Sequence, residues 1–295
     1  MISKIYLFAS LRIELRSKHE ITPSEQFSGF YGDGAPDLSF EVICASLPEK
    51  KGEPVFESQK RSCYRHGETE YFYTSFYDGK SDSFLDYACR VCGAGGNYLY
   101  IDYDKMWESM VFEALNVADI LIRRKIAVLH SSFVVCGDSA VLFSGDKQAG
   151  KSTQASLWER YAGALVVNGD RAAIQETSSG AYAFGIPFRG SSKISLHVNK
   201  PVRAIILLAK GRENRLTRLK AAEAFRNILG KLTYDVWNEE SVEAACEMAE
   251  YAAENIEIYR YECLPDKSAV DFLRGELERA ASTRDKSSEN ASFSE

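Results

Sequence analysis

Long hydrophobic runs are missing from this sequence of 295 residues. No apolar stretch approaches the roughly 18 residues that a membrane-spanning helix needs, so we expect no membrane partner. An excess of positive charge is missing too, because 36 Lys and Arg face 42 Asp and Glu, for a net charge of −6. A chain of this charge lacks the broad positive field that nucleic-acid binding usually requires, which argues against a nucleic-acid partner.

The cysteines do not form the even, closely spaced set of a secreted disulfide framework, because seven of them are scattered along the chain. The first residues also lack the apolar segment of a signal peptide, so we expect a cytoplasmic protein with reduced thiols. Zinc is the alternative, because Cys63, His66, Cys89 and Cys92 form two pairs with ligand-like spacing. The strand-like residues between the pairs and the glycines after Cys92 favour free thiols.

Aromatic residues crowd the first hundred positions, separated by turn-forming glycine and proline. This pattern is typical of short strands joined by turns, and residues 71–77 ahead of Asp78-Gly79 predict a strand entering a hairpin. Over Asp104–Arg124 apolar residues recur at helical spacing, which predicts one long amphipathic helix. From residue 126 strand and helix patterns alternate, with strands predicted at residues 126–130 and 133–136 and helices at about Ala221–Leu229, Ser241–Glu254 and Ser268–Ala280. Residues 281–295 have almost no apolar content and are predicted to be disordered.

A phosphate-loop pattern follows the apolar strand Ala140–Phe143. Gly145-Asp-Lys-Gln-Ala-Gly-Lys-Ser152 has the required glycine, four residues and Gly-Lys-Ser/Thr, and a helix is predicted from Ser152 to Tyr161. Glycines let backbone N–H groups turn inward around an anion, and the helix N-terminus adds partial positive charge. We therefore expect ATP here, with Lys151 on the β- and γ-phosphates and Ser152 on Mg²⁺. The predicted nucleotide-binding residues are Gly145, Asp146, Lys147, Gln148, Ala149, Gly150, Lys151, Ser152 and Thr153.

Two further polar segments follow the loop. Asp170 comes shortly after the predicted strand Leu165–Val167, so its carboxylate could hold Mg²⁺ or accept a proton from an attacking hydroxyl. The alternative is an aspartate that only caps a turn. Arg189 and Lys193 lie in a later loop, where they could stabilise a transferring phosphoryl group or simply be solvated.

The segment from Leu129 to about Leu273 resembles the HPr kinase/phosphorylase-like family, whose phosphate-loop core is related to phosphoenolpyruvate carboxykinases. The resemblance rests on Leu129-His130 ahead of the loop, on the loop itself, on the strand end bearing Asp170, and on Arg189-Gly190. It implies that the region of Asp170 supplies the general base and a magnesium ligand. It also implies that His130 lies close to that carboxylate.

The chain departs from this family in four respects. Lys147-Gln148 stand where the family usually has Ser-Gly, and Asn168-Gly169-Asp170 replace a pair of aspartates, so one carboxylate would serve as base and as ligand. A counterpart of the family's recognition segment for HPr is missing, and the N-terminal region differs. Relatives that modify precursor peptides on serine imply that the core can take other acceptors.

Together these observations predict an α/β protein with a phosphate-loop kinase core of HPr kinase type. The predicted domains are a β-rich N-terminal domain (1–104), a connecting helix (105–125), the kinase core (126–280) and a disordered tail (281–295). We expect transfer of the γ-phosphoryl of ATP to a hydroxyl, with Asp170, His130 and Arg189 as catalytic residues and Ser152 and Asp170 as magnesium ligands. The expected acceptor is serine of a peptide or protein. A small-molecule acceptor, a non-catalytic ATP-binding regulatory module and a homo-oligomer stay open.

Overall fold

The computed structural model of the chain describes residues 1–103, 105–190 and 192–292, without the side chains of residue 281 and of residues 283–292. The chain divides into two compact units. Unit 1 comprises Met1–Ala127 and Thr233–Ala245, and unit 2 comprises Val128–Leu232 and Cys246–Glu295. Large sheets together with helices make this an α/β protein, as the sequence predicts.

Unit 1 is built on a large sheet. Its described residues form a sheet of nine strands in the order β4-β1-β2-β5-β10-β9-β8-β7-β6, and β11 pairs with β3. The predicted strand over residues 71–77 is confirmed, since it lies within β8, which turns back into β9. The elements are β1 (Ile2–Phe8), β2 (Leu11–Ser17), β3 (Ile21–Thr22), a 3₁₀ helix (Glu25–Phe30), β4 (Tyr31–Gly32), β5 (Leu38–Cys44), β6 (Glu53–Glu57), β7 (Arg61–His66), β8 (Thr69–Asp78), β9 (Ser83–Gly93), β10 (Gly96–Ile101), β11 (Met106–Trp107), α1 (Glu108–Ala114) and α2 (Val117–Ile122).

The single long helix predicted over Asp104–Arg124 is wrong. The structure has β11 followed by two short helices, α1 and α2. Asn116 lies between these helices with a left-handed backbone, φ 53° and ψ 55°, which ends one helix before the next begins. Val111 and Leu121 on either side are both buried, so apolar residues keep helical spacing across the break and hide it.

The four candidate zinc ligands lie on strands that are not neighbours. β8 separates β7, which carries Cys63 and His66, from β9, which carries Cys89 and Cys92. In this register Cys63 and Cys92 belong to one face of the sheet, and His66 and Cys89 to the other. Burial raises the pKa of the Cys63 and Cys89 thiols to about 12, so both are protonated at neutral pH. The register therefore opposes convergence of the four on one ion.

Aromatic residues fill the interior of unit 1 from both of its chain segments. Trp237, from the second segment, stacks on Phe56 with ring centroids 5.3 Å apart and on Phe72 at 6.1 Å. The strand residue Tyr6 meets Phe112 of α1 edge to face at 4.7 Å. Contacts of this kind add to the free energy gained from apolar burial.

Unit 2 carries the phosphate-loop segment on a mixed sheet. β13 pairs with β12 antiparallel and with β17 parallel, and β17 pairs with β19 parallel. β14 also pairs with β12 antiparallel, along the edge of β12 opposite to β13. The elements are β12 (Ile126–Cys136), β13 (Ser139–Ser144), α3 (Lys151–Ala162), β14 (Leu165–Asn168), β15 (Arg171–Thr177), β16 (Gly180–Phe184), β17 (Asn199–Lys210), β18 (Arg215–Arg218), α4 (Ala221–Leu229), α5 (Glu239–Asn255), β19 (Ile258–Cys263) and α6 (Lys267–Ser292).

Helices cover both faces of the central strands of this sheet. Alternate residues of β13 point to opposite sides: Phe143 packs with Trp158 of α3 and Leu273 of α6. Leu142 packs with Ile228 of α4 and Ala252 of α5. Burial on both faces explains the continuous apolar runs of β13 and β17, which alternating patterns would not show.

The last helix continues beyond the predicted end near Ala280, because α6 extends to Ser292. Among its described side chains, Leu273 and Leu277 are buried in the core of unit 2. The prediction of disorder covers residues 281–295. Most side chains of residues 281–292, and all of residues 293–295, lie outside the part of the chain that the structure describes, so the disorder stays a prediction. Among the described residues no helix has both the length and the apolar character to cross a membrane.

Candidate functional site

The phosphate-loop motif folds as the predicted strand, loop and helix. β13 ends at Ser144, and α3 begins at Lys151 after the loop Gly145–Gly150. Gly145 has φ 145° and Gly150 has φ 103°, values that residues with a Cβ rarely adopt. A Cβ on Gly145 would also lie 3.0 Å from the carbonyl oxygen of Leu208. The loop needs glycine at both ends for conformational reasons, quite apart from any ligand.

Lys151 extends its ammonium back across this loop. The Nζ atom donates to the carbonyl oxygens of Gly145, at 3.0 Å, and of Asp146, at 3.1 Å. Partial burial lowers the pKa of Lys151, while the carboxylate of Asp170 opposes the shift. Ser152 and Thr153 follow in the first turn of α3, and both are exposed. Backbone N–H groups at a helix start, a lysine and an exposed hydroxyl are the groups that bind phosphate and its metal ion.

Asn168 organises the turn after β14. Its side-chain amide donates to the carbonyl oxygens of Ile186 and Phe188, both at 3.0 Å. Its Oδ1 accepts from the backbone N–H groups of Asp170, at 2.9 Å, and Arg171, at 3.0 Å. These four bonds use the full hydrogen-bonding capacity of an asparagine side chain, which is also fully buried. Asn168 therefore braces the turn that carries Asp170.

Asp170 and His130 come together beside the phosphate loop. The Oδ1 atom of Asp170 lies 3.5 Å from Nδ1 of His130, and Oδ2 accepts from Nε of Arg171 at 3.2 Å. The backbone carbonyl of Asp170 accepts from Ser131 at 3.0 Å, which ties the turn to β12. Ser144, the residue before the loop, donates its hydroxyl to the carbonyl of His130 at 2.8 Å. One strand, β12, thus positions His130 against both the carboxylate and the loop.

The electrostatic environment keeps the His130 imidazole neutral. Partial burial lowers the pKa of His130, the charge of Lys151 lowers it further, and Asp170 opposes both. A histidine with a pKa below its usual value of about 6.5 is uncharged at pH 7. A neutral imidazole has one nitrogen that donates and one that accepts, so His130 can donate a hydrogen bond to the carboxylate of Asp170.

Arg189 lies in the loop that adjoins Asp170. Its guanidinium donates to the carbonyl oxygen of Lys193 at 2.7 Å. The next residue, Gly190, approaches Asp170 so closely that a Cβ would lie 2.9 Å from the aspartate Cβ and Cγ atoms. Glycine is therefore required at position 190 if Asp170 is to keep its place. Arg189 is brought to the neighbourhood of the carboxylate by this contact.

Lys231 is a charged residue at this site that no sequence pattern indicates. Its Nζ atom pairs with the carboxylate of Asp146 in the phosphate loop. Both residues line a cavity of about 240 Å³, together with Gly145 and Arg260. Lys231 follows α4, 85 positions after its partner, so only the folded chain brings them together.

Comparisons with known proteins add little to this geometry. Neither a protein-family model nor a curated protein matches the sequence. Among solved structures the chain is similar to the HPr(Ser) kinase/phosphatase from Coxiella burnetii, with 14% identity over 53% of this chain and 96% of that chain. The TM-score is 0.30, and a likeness at that level carries no argument about fold or activity.

Proposed function

We propose that this chain is an ATP-dependent kinase of HPr kinase type that transfers the γ-phosphoryl group to a hydroxyl, the acceptor being a serine of a peptide or protein. One observation carries the proposal. The phosphate-loop motif lies between β13 and α3, and the turn bearing Asp170 is tied to the neighbouring strand β12, with the carboxylate 3.5 Å from His130. Phosphoryl transfer needs at least a loop that binds the phosphates and a nearby carboxylate that accepts the proton of the attacking hydroxyl.

The loop would hold the nucleotide. Backbone N–H groups of Gly145–Gly150 and the N-terminus of α3 would surround the phosphates, and Lys151 would turn from the loop carbonyls to a phosphate oxygen. Phosphate is a stronger partner for an ammonium than a neutral carbonyl, because both groups are charged. Lys151 would then stabilise the charge that develops on the leaving group.

Magnesium fits the donors that are present. Within the part of the chain that the structure describes, no three His, Cys, Asp or Glu side chains cluster as metal ligands. Mg²⁺ in kinases is typically held by one or two protein oxygens together with substrate phosphates, so a larger cluster is not needed. The hydroxyl of Ser152 and the carboxylate of Asp170 are the hard oxygen donors that would hold it. When bound, the ion neutralises the phosphate charge.

Asp170 would act as the base of the transfer. Its carboxylate accepts the proton of the acceptor hydroxyl while that oxygen forms a bond to the γ-phosphorus. The bond from the γ-phosphorus to the bridging oxygen breaks, and ADP leaves with the electron pair. Neutral His130 orients the Asp170 carboxylate, and Arg189 would stabilise the transferring phosphoryl group.

One observation favours a second function. Residue 168 is an asparagine, which uses all four of its hydrogen bonds to hold the turn. Because residue 169 is glycine, Asp170 is the single carboxylate of this turn. A protein that binds ATP as a conformational switch needs the loop but no base. A small-molecule acceptor is the third reading, since the same chemistry serves any hydroxyl.

The test is transfer of label from γ-labelled ATP with Mg²⁺. We expect incorporation into a serine peptide library or into the macromolecular fraction of a cell extract, and none with the Lys151→Ala variant. The same library with every serine replaced by alanine is the control. Label only in the low-molecular-weight fraction would identify a metabolite acceptor. Tight ATP binding without transfer to any fraction would favour the switch. Unchanged ATP affinity in Lys151→Ala would mean that the loop is only a structural turn.

A further inference from the structure

Lys231 faces the phosphate loop from the end of α4. Its ammonium pairs with Asp146, whose side chain is 88% exposed, while the side chain of Lys231 is only 23% exposed. The lysine is therefore largely enclosed by the protein, and its partner reaches it from the solvent side. An ion pair with one partner so exposed contributes little to stability.

The position of Lys231 does not depend on this ion pair. Its backbone carbonyl accepts a hydrogen bond from the N–H of His130 at 3.0 Å. The next residue, Leu232, forms an antiparallel bridge with Leu129 of β12. Main-chain bonds to the strand that carries His130 thus hold Lys231 beside the loop, whatever its side chain contacts.

Two lysines are brought to the same loop by unrelated elements. Lys151 comes from the start of α3, and Lys231 comes from the main-chain anchor on β12. Both ammonium groups contact the same residue, since Lys151 donates to the backbone carbonyl of Asp146 at 3.1 Å and Lys231 pairs with its carboxylate. The charge of Lys231 also contributes to the lowered pKa of Lys151. Arg260 and Glu223 also line the adjoining cavity, and Arg260 lies 3.7 Å from the carboxylate of Glu262. Convergence of like charges on a glycine loop is favourable only when an anion accompanies them.

We propose that Lys231 is a second phosphate-binding lysine, whose ammonium exchanges the carboxylate of Asp146 for an oxygen of the β- or γ-phosphate when nucleotide binds. The inference rests on the proposed function, because it names a further residue of the same site. The phosphates carry more charge than one carboxylate and compete for the lysine. Asp146 is then a competitor that weakens nucleotide binding, and removing its charge strengthens it.

Four variants test this exchange, with MgATP and inorganic pyrophosphate as ligands in a direct binding measurement. Lys231→Gln should weaken both ligands by about ten- to a hundredfold, the loss expected for one charge-assisted hydrogen bond. Lys231→Arg should keep most of the affinity. Asp146→Asn should tighten binding several-fold, and the double variant should match Lys231→Gln. Lys200→Gln is the matched control, because Lys200 also pairs with an exposed aspartate, Asp138, in the same unit.

Opposite effects of the two single substitutions are the decisive result. If Lys231→Gln and Asp146→Asn weaken binding alike and lower the melting temperature, the pair is structural and the proposal is overturned. If Lys231→Gln binds like Lys200→Gln while Lys151→Ala loses affinity, Lys231 has no role but the loop does bind phosphate. If Lys151→Ala also binds normally, the proposed function itself fails.

Discussion

At the scale of single residues, the neighbours Asn168 and Asp170 have separate tasks. The amide of Asn168 is buried and fully bonded, whereas the side chain of Asp170 is 26% exposed and faces His130. A carboxylate at position 168 could not donate to the two carbonyls of Ile186 and Phe188. Asparagine at position 168 thus strengthens the turn, and Asp170 is the one carboxylate of residues 168–170.

Asp170→Asn should therefore remove phosphoryl transfer while preserving the fold. Asparagine has the same shape but cannot take the proton, and loss of a positioned base typically costs about 10²–10⁴ in rate. Initial rates of transfer and ATP affinity, measured on the same preparation, check this. Asp138→Asn, at an exposed surface pair, is the control and should keep the wild-type rate. A wild-type rate in Asp170→Asn would show that another group is the base.

Gly190→Ala should slow transfer without loosening ATP. The new Cβ would lie 2.9 Å from the Cβ and Cγ atoms of Asp170, so the carboxylate must shift. A shift of about 1 Å at a reacting group can cost about a hundredfold in rate. The measurement is kcat beside ATP affinity. Gly95→Ala, where no atom lies within 4 Å of the new Cβ, is the control. Equal rates for the two variants would show that the position of Asp170 is not critical.

A site residue can be predicted from the sequence when its neighbours along the chain form a recognisable pattern. It cannot when its partners are distant in the sequence. The loop residues and Asp170 carry patterns of their own: spaced glycines with a lysine, and a carboxylate at a strand end. The closeness of His130 to Asp170 is implied only by the family resemblance, because no local pattern predicts it. In the fold it depends on the pairing of β12 with β14. Lys231 has no local pattern, because its partner Asp146 is reached only through the tertiary fold.

At the scale of elements, the helix α3 begins and ends with glycine in the left-handed region. Gly150 at its start has φ 103°, and Gly163 at its end has φ 63°. A Cβ at either position would have no atom within 4 Å, so backbone conformation alone sets the cost of a side chain there. Alanine at either site should cost about 1–2 kcal/mol, the penalty of a left-handed backbone for a residue with a side chain. The two glycines therefore form a matched pair at opposite ends of one helix.

We expect both Gly150→Ala and Gly163→Ala to lower the free energy of unfolding by this similar amount, but only Gly150→Ala to weaken ATP. Relief of the strain at position 150 would turn the loop N–H groups away from the phosphates. Denaturant unfolding and ATP titration separate the two effects. Equal ATP affinity in both variants would contradict a phosphate-binding role for the loop.

The sheet register of unit 1 gives a prediction about metal content. Cys63 and Cys92 belong to the opposite face of the sheet from His66 and Cys89. A tetrahedral zinc site needs four donors within about 2.0–2.3 Å of one ion. The purified protein should therefore contain no stoichiometric zinc by elemental analysis. One zinc per chain, lost in a variant with serine at positions 89 and 92, would require a different arrangement of these strands.

Elements were predictable where one periodicity ran without a break. The helix over Ala221–Leu229 agrees with α4 at both ends, and the strand before the loop agrees with β13. The helix predicted across Asn116 failed because spacing alone does not report backbone handedness. The strands predicted at residues 126–130 and 133–136 form the single strand β12, whose buried serines look like a break in sequence.

At the scale of the whole molecule, the C-terminal helix α6 packs through residues such as Leu273 and Leu277, and we call the residues after Ala280 its extension. Removal of residues after Ala280 should leave the melting temperature and ATP affinity unchanged, because the removed residues have almost no apolar surface to bury. Removal of residues after Asp266 is the contrasting truncation. It deletes Ala269, Val270 and Leu273, which are fully buried, and should unfold unit 2. Thermal melts of both chains check this, and a large loss in the shorter deletion would show that the extension packs.

Unit 1 is assembled from two stretches of sequence, and this has a consequence for its biosynthesis. Trp237, which stacks on Phe56 and on Phe72, belongs to the second stretch, Thr233–Ala245. A ribosome adds about 5–20 residues per second, so the first stretch waits on the order of 5–20 s for this tryptophan. During that interval Phe56 and Phe72 lack their stacking partner. The nascent chain thus carries an incomplete aromatic core until the ribosome has synthesised the second stretch, Thr233–Ala245.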